Sequence, residues 1–157
     1  LPEDERLRTT VRSVQRLYLP EGLTAPEVAT LYVEWLSKHL HPVLRAKRIQ
    51  ADVAGTLSCE FHLTGLPGEL LVLEMDQRLN AADRAEFLIV AGMLVKVGKG
   101  ESEPGRLEFR RFPEQRCLIA AIHDFHPRLP WFIYVWTQAR MHLYVMRAFD
   151  RFLRRLK

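Results

Sequence analysis

The chain has 157 residues, 48% of them apolar and 27% charged, with a net charge of +4 and a pI near 9.3. That length predicts one domain over residues 1–157, and the composition is that of an ordinary folded globular protein with a sizeable core. No run reaches the ~18 uncharged apolar residues of a membrane span. The mild basicity comes without a Lys/Arg block, a Gly-rich RNA motif or zinc-finger spacing, so nucleic acid is not an expected partner.

Residues 1–6 read as a loose tail. The chain begins at Leu1 rather than Met, and its acidic Glu3-Asp4-Glu5 is unlike a signal peptide. Removal of a preceding segment stays open, and the expected location is cytoplasmic. Arg8 to Leu19 is rich in β-branched and aromatic residues, which predicts a first strand ending at Pro20. Its imperfect alternation predicts an edge position or a bulge. Thr24-Ala25-Pro26-Glu27 has the form of a helix start, with Thr24 as N-cap, Pro26 in the first turn and Glu27 closing a capping box. Val28, Leu31, Tyr32, Trp35, Leu36, His39 and Leu40 then follow an amphipathic helical period. Pro42 disfavours helical geometry at His41 and ends or kinks this helix. A second helical turn through Val43, Leu44 and Arg45 would make it a split pair.

Ile49 to Ala54 is a short strand candidate. Thr56 to Thr64 alternates cleanly, with Leu57, Cys59, Phe61 and Leu63 against Ser58, Glu60, His62 and Thr64, so one sheet face is dry and one wet. Glu69 to Leu79 repeats this alternation. Glu86 to Val97 is apolar on both faces, and periodicity alone does not separate a strand from a buried helix there. Its β-branched content and central Gly92 favour a strand with a bulge or bend. Arg106 to Phe112 and Arg116 to Phe125 are two further strands, joined across Pro113-Glu114. From Pro130 to Lys157 there is neither Gly nor Pro, which predicts one long closing helix with an apolar face and arginines crowding its end. Cys59 and Cys117 form no CxxC pair and fall within strands, so both are expected as core thiols.

The fold class expected from this order is α+β. A curved antiparallel sheet of six or seven strands carries a split N-terminal helix pair and a long C-terminal helix packed across it. The stretch Gly105-Arg106-Leu107-Glu108-Phe109-Arg110, a strand ending in Phe125-His126-Pro127, and the Leu129-Pro130-Trp131 entry to the helix complete the pattern. This order resembles the helix-grip fold of the START-like superfamily, which includes polyketide cyclases and lipid and steroid carriers. The resemblance implies a cavity between sheet and C-terminal helix, open near the first helix. Members are mostly binders of hydrophobic molecules and a minority are enzymes, with catalytic residues that vary between branches.

No cofactor or metal is expected. His39 and His41 are too close in sequence to converge, and on a strand His123 and His126 point to opposite faces. A nucleophile elbow and a phosphate-binding glycine loop are both missing. The leading expectation is binding of a hydrophobic or amphipathic small molecule. Its lining would be Trp35 and His39 from the first helix, Phe61 and Met75 from the sheet, and Tyr134, Gln138 and His142 from the long helix. The alternatives are a cyclase- or dehydratase-type enzyme and a protein-interaction module with a filled interior. The enzyme would pair His142 with Asp76, Glu74 or Asp124. The module would present Trp136, Arg140 and Tyr144 to a partner. A weak contact of the C-terminal arginines with an anionic surface is also open.

Overall fold

Seven antiparallel strands form one sheet in the order β1-β7-β6-β5-β4-β3-β2. The computed structural model describes residues 11–49, 55–93, 104–125 and 138–156. The strands are β1 (Val11–Tyr18), β2 (Leu44–Ile49), β3 (Thr56–Leu63), β4 (Leu71–Asp76), β5 (Arg84–Ala91), β6 (Gly105–Phe112) and β7 (Cys117–Phe125). Among the described residues two helices, α1 (Ala25–His39) and α2 (Gln138–Arg155), lie on one face of this sheet. The first turns expected of the long helix, along with residues 1–10, 50–54, 94–103 and 126–137, lie outside the described residues.

The inner face follows from period-two patterning. Leu57, Cys59 and Phe61 of β3, Leu73 and Met75 of β4, Ala85, Phe87 and Ile89 of β5, and Leu107 and Phe109 of β6 are all buried. Cross-strand pairs such as Cys59 with Leu73, Phe87 with Leu107, and Phe109 with Ala120 carry this apolar stripe across the sheet. Both cysteines are buried, and neither is in a disulfide. They occupy opposite faces, Cys59 inward and Cys117 outward, which by itself keeps them apart.

The outer face is charged. Its centre is Glu108, only 8% exposed, with Arg110 at 2.9 Å, Arg84 at 3.4 Å and His123 at 3.7 Å. A carboxylate that deep needs such partners.

The two irregularities in the sheet have local causes. At β4–β5 the register shifts between Val72 and Leu73, where Gly92 adopts φ +121° and brings its backbone against Leu70 and Leu71. At β1–β7 the shift lies between Val11 and Ser13, opposite Asp124 at φ 52°. Each is a bulge, in which one strand carries an extra residue and bends.

Helix α1 starts as its sequence dictates. Thr24 Oγ1 accepts from the Glu27 amide, and Glu27 Oε2 accepts from the Thr24 amide at 2.7 Å. The helix does not resume after Pro42. Leu44–Ile49 forms strand β2, so the expected second helical turn through Val43–Arg45, and with it the split pair, gives way to helix α1 alone among the described residues between β1 and β2. The pairing of Leu44 with Leu63 and Ala46 with Phe61 offers ladder hydrogen bonds and burial that an isolated helical turn lacks. The strand expected over Ile49–Ala54 therefore starts five residues earlier, and 50–54 lie outside the described residues. Strand β4 stops at Asp76, whose carboxylate caps a 3-10 turn over Gln77–Leu79.

Helix α2 runs along β1. Asp150 Oδ1 accepts from the Tyr18 backbone amide at 2.6 Å, and the Arg154 guanidinium lies over the Tyr18 ring. Its inward residues Val145, Met146, Phe149 and Leu153 are buried, while Arg140, Arg147, Arg151, Arg154 and Arg155 are exposed.

Candidate functional site

The two helices meet through rings. Trp35 stacks on His39 one turn later, with centroids 4.6 Å apart and planes 17° apart. Across the seam Trp35 contacts Phe149 at 5.1 Å and Phe152 at 6.0 Å, and Tyr32 meets Phe149 edge-on at 5.1 Å. Tyr32 also reaches the sheet at Phe109, 5.5 Å away. His39 approaches Tyr144 at 6.3 Å. Tyr32 and Trp35 thus meet the middle of α2, and His39 meets its N-terminal half at Tyr144. Burial pushes the Tyr32 phenol well above the ordinary tyrosine range, and the group stays neutral.

The opening between α1 and the sheet measures about 10 Å³, bounded by Thr30, Val33, Glu34, Leu57, Cys59 and Phe87. That is room for about one water at most. Between α1 and β3–β5, then, the described residues leave no larger opening at this point.

The sequence-derived site residues separate into groups. Trp35 and His39 are together at the C-terminal end of α1. Phe61, 1% exposed, lies on β3 opposite Ala46 and Leu71, and β2 begins where α1 ends. Met75 is equally buried but stands opposite Leu57, four residues along β3, or about 13 Å at the rise of a strand. Its sulfur accepts from Asn80 Nδ2 at 3.0 Å. The structure does not bring Met75 and Phe61 together. Tyr134 lies outside the described residues, and Gln138 is placed only as the first residue of α2.

His142 lies in the first turns of α2 and shares the inward row with Val145 and Phe149, while Tyr144, which meets His39, points to another side of the helix. The half-buried imidazole is pushed down to about 4 by desolvation, so it is neutral at physiological pH. No carboxylate contributes to that shift.

The carboxylates considered for an acid–base pair are occupied elsewhere. Asp76 accepts from Arg78 Nε at 3.0 Å and Arg78 Nη2 at 2.9 Å, which holds it below the usual carboxylate range. Asp124 lies 3.3 Å from Arg106, and Glu74 pairs with Ser58 and Leu88 on the outer face. The His142–carboxylate pair does not form among the described residues. Three or more His, Cys, Asp or Glu side chains converge nowhere among them either.

The sequence reading missed two features. One is the outer-face ion cluster around Glu108, which required the strand register. The other is an open groove of about 520 Å³ lined by Ser37, Lys38, His41, Arg45 and Ala46 at the β2 edge. The signal for it was the Lys-His-Leu-His-Pro-Val-Leu-Arg-Ala-Lys-Arg run from Lys38 to Arg48, in which basic residues bracket Pro42-Val43.

A seven-stranded antiparallel sheet with an N-terminal helix and a C-terminal helix on one face defines a helix-grip-like α+β fold. The solved structure of CV1439 from Chromobacterium violaceum has that fold too. It superposes with a TM-score of 0.51 and 13% identity, covering 90% of this chain and 96% of that one. In sequence, the chain is 24% identical over 140 residues to the auxiliary protein GraX of Staphylococcus aureus (strain NCTC 8325 / PS 47). That match takes in 89% of this chain but 42% of GraX, so the chain spans less than half of that relative's length. No family model matches the sequence. No described helix is long and apolar enough to cross a membrane.

Proposed function

We propose that this chain is a START-like domain that binds a hydrophobic or amphipathic small molecule against the inner face of the sheet, beside Phe61 and His142. The supporting observation is His142 itself. A half-buried, neutral imidazole occupies the inward row of α2, beside the buried Val145 and Phe149. A ring partly withdrawn from water gains from a partner, and a ligand hydroxyl or carbonyl is a suitable one for a neutral imidazole. Phe61 supplies apolar wall, and the Trp35–His39 stack forms the rim. Tyr134 and Gln138 precede His142 at helical spacing and are proposed as further lining residues. Met75, held by Asn80 and paired with Leu57 at the other end of β3, is outside this site. A cytoplasmic location remains part of this reading.

Native mass spectrometry of protein purified under mild conditions tests it. The expected result is a co-purifying small molecule, lost or weakened in His142→Leu. Protein that carries nothing and takes up no hydrophobic dye would sink the reading.

A second reading is a protein-interaction module. Two observations favour it: the small opening between α1 and β3–β5, and the exposure of Met141 and Tyr144 on α2, 55% and 52%. The similarity to a protein named as auxiliary points the same way. The same mass spectra discriminate, since the module predicts an empty protein that binds a partner through this surface. An acid–base enzyme is the weakest reading, because His142 meets no carboxylate among the described residues.

A further inference from the structure

Two loop tips are tied together at the β2 edge of the sheet. The connection from α1 to β2, His41-Pro42-Val43, is exposed along its length. The β3–β4 turn beside it, Gly65-Leu66-Pro67-Gly68, is equally exposed. The Thr64 amide donates to the Val43 carbonyl at 2.9 Å, and the Thr64 hydroxyl donates to the Pro42 carbonyl. Val43 is 63% exposed and Leu66 52%. Single exposed aliphatics are ordinary on a protein surface. These two are neighbours on adjoining tips, with Pro42 and Pro67 between and beside them.

The surroundings are basic. Lys38, His41 and Arg45 line the open groove next to the tips, and Lys47 projects from the same side of β2 as Arg45. None of these four forms an ion pair with a described residue. Glu60, opposite Lys47 in the β2–β3 register, is turned to His62 at 3.3 Å. The nearby exposed carboxylate on the turn side is Glu69. Cations held free around an apolar tip match a surface of phosphates over acyl chains.

We infer that this edge docks on an anionic membrane surface. Val43 and Leu66 enter the boundary between headgroups and acyl chains, while Lys38, Arg45 and Lys47 lie against lipid phosphates. Each such cation contributes roughly a factor of five in partitioning at moderate salt. The apolar tips decide between occupants, because a free phosphate or a nucleic acid backbone has no use for Val43 and Leu66. The docking edge lies at the end of α1 that carries Trp35 and His39, so a lipid-like ligand would enter there. Docking itself does not require that a ligand be bound.

Co-sedimentation of the full chain with vesicles tests the inference. One set is phosphatidylcholine alone, and in the other part of it is replaced by phosphatidylglycerol. The chain is expected to pellet with the anionic set at low salt and to be released at high salt. The double variant Val43→Ser/Leu66→Ser, at unchanged charge, is expected to bind about tenfold more weakly. Lys38→Glu/Arg45→Glu should abolish binding, and Arg147→Glu/Arg151→Glu on α2 should leave it unchanged. All these positions are exposed, and far-ultraviolet circular dichroism checks that each variant folds. A dye attached at Val43→Cys should shift to the blue on anionic vesicles. Equal binding to neutral vesicles, wild-type binding by the Ser/Ser variant, or no binding at low salt overturns the proposal. So does loss of binding through the α2 variant, or displacement by inorganic phosphate at matched ionic strength.

Discussion

A Cβ built on Gly92 would sit 2.4 Å from the Leu70 carbonyl oxygen and 2.6 Å from the Leu71 Cα, at a φ of +121° that other residues rarely adopt. Steric overlap and backbone strain therefore act together there. Gly92→Ala is expected to cost about 2–4 kcal/mol, read as a lower urea midpoint at an unchanged m-value. An unchanged midpoint would contradict the close approach. The bend was legible from a glycine centred in an apolar, β-branched run; the atoms it meets were not.

His142 gives a pH signature. Its pKa falls from 6.5 to about 4 on folding, so between those values the unfolded chain binds more protons than the folded one. Stability is thus fully present above pH 6.5 and declines as pH falls toward 4. Allowing for a half-buried ring, the loss is on the order of 2 kcal/mol. His142→Leu should flatten that limb of the stability-versus-pH curve, and equal limbs would show that the ring is not desolvated. The spacing of His142 on an apolar row was readable from sequence, whereas the desolvation depends on packing.

At the scale of elements, α1 shows local chemistry setting a boundary. Thr24 and Glu27 close the capping box, which also holds the Glu27 carboxyl below the usual range through the Thr24 backbone and hydroxyl hydrogen bonds. Thr24→Ala is expected to cost about 1 kcal/mol in chemical denaturation. The other end of the same element was misread as continuing helix, because strand pairing with β3 outweighs the weak helical tendency of Val43–Arg45. Helix α2 is tied to the sheet edge through Asp150 and the Tyr18 amide. Replacing Asp150 by Ala is expected to raise hydrogen exchange at Tyr18 several-fold while the rest of β1 stays protected. Uniform loss along β1 would mean that the carboxylate supports the whole edge instead.

At the scale of the molecule, the sheet and the two helices of the described residues share one apolar core that runs from Leu44 on β2 to Leu17 on β1 and up to Leu153 on α2. A shared core predicts one cooperative unfolding transition, with near- and far-ultraviolet circular dichroism coincident. Phe149 is fully buried where Tyr32, Trp35 and Phe152 converge. Phe149→Ala should destabilise by about 3–5 kcal/mol in the same experiment. Two separated transitions would break the one-domain expectation for residues 1–157.

The sequence by itself determined the α+β class, the strand succession, the capped start of α1, the inward alternation of β3 and the arginine-rich solvent face of α2. Each of these is written in periodicity or in side-chain chemistry a few residues apart. Only the tertiary structure decided that Leu44–Ile49 is a strand, that Met75 stands away from Phe61, and that Trp35 packs into the helix seam. It also decided that His142 meets no carboxylate among the described residues, and that Val43 and Leu66 lie on adjoining exposed tips near Lys38 and Arg45. These depend on register and on contacts between residues far apart in the chain, where cross-strand pairing and burial outweigh local preference.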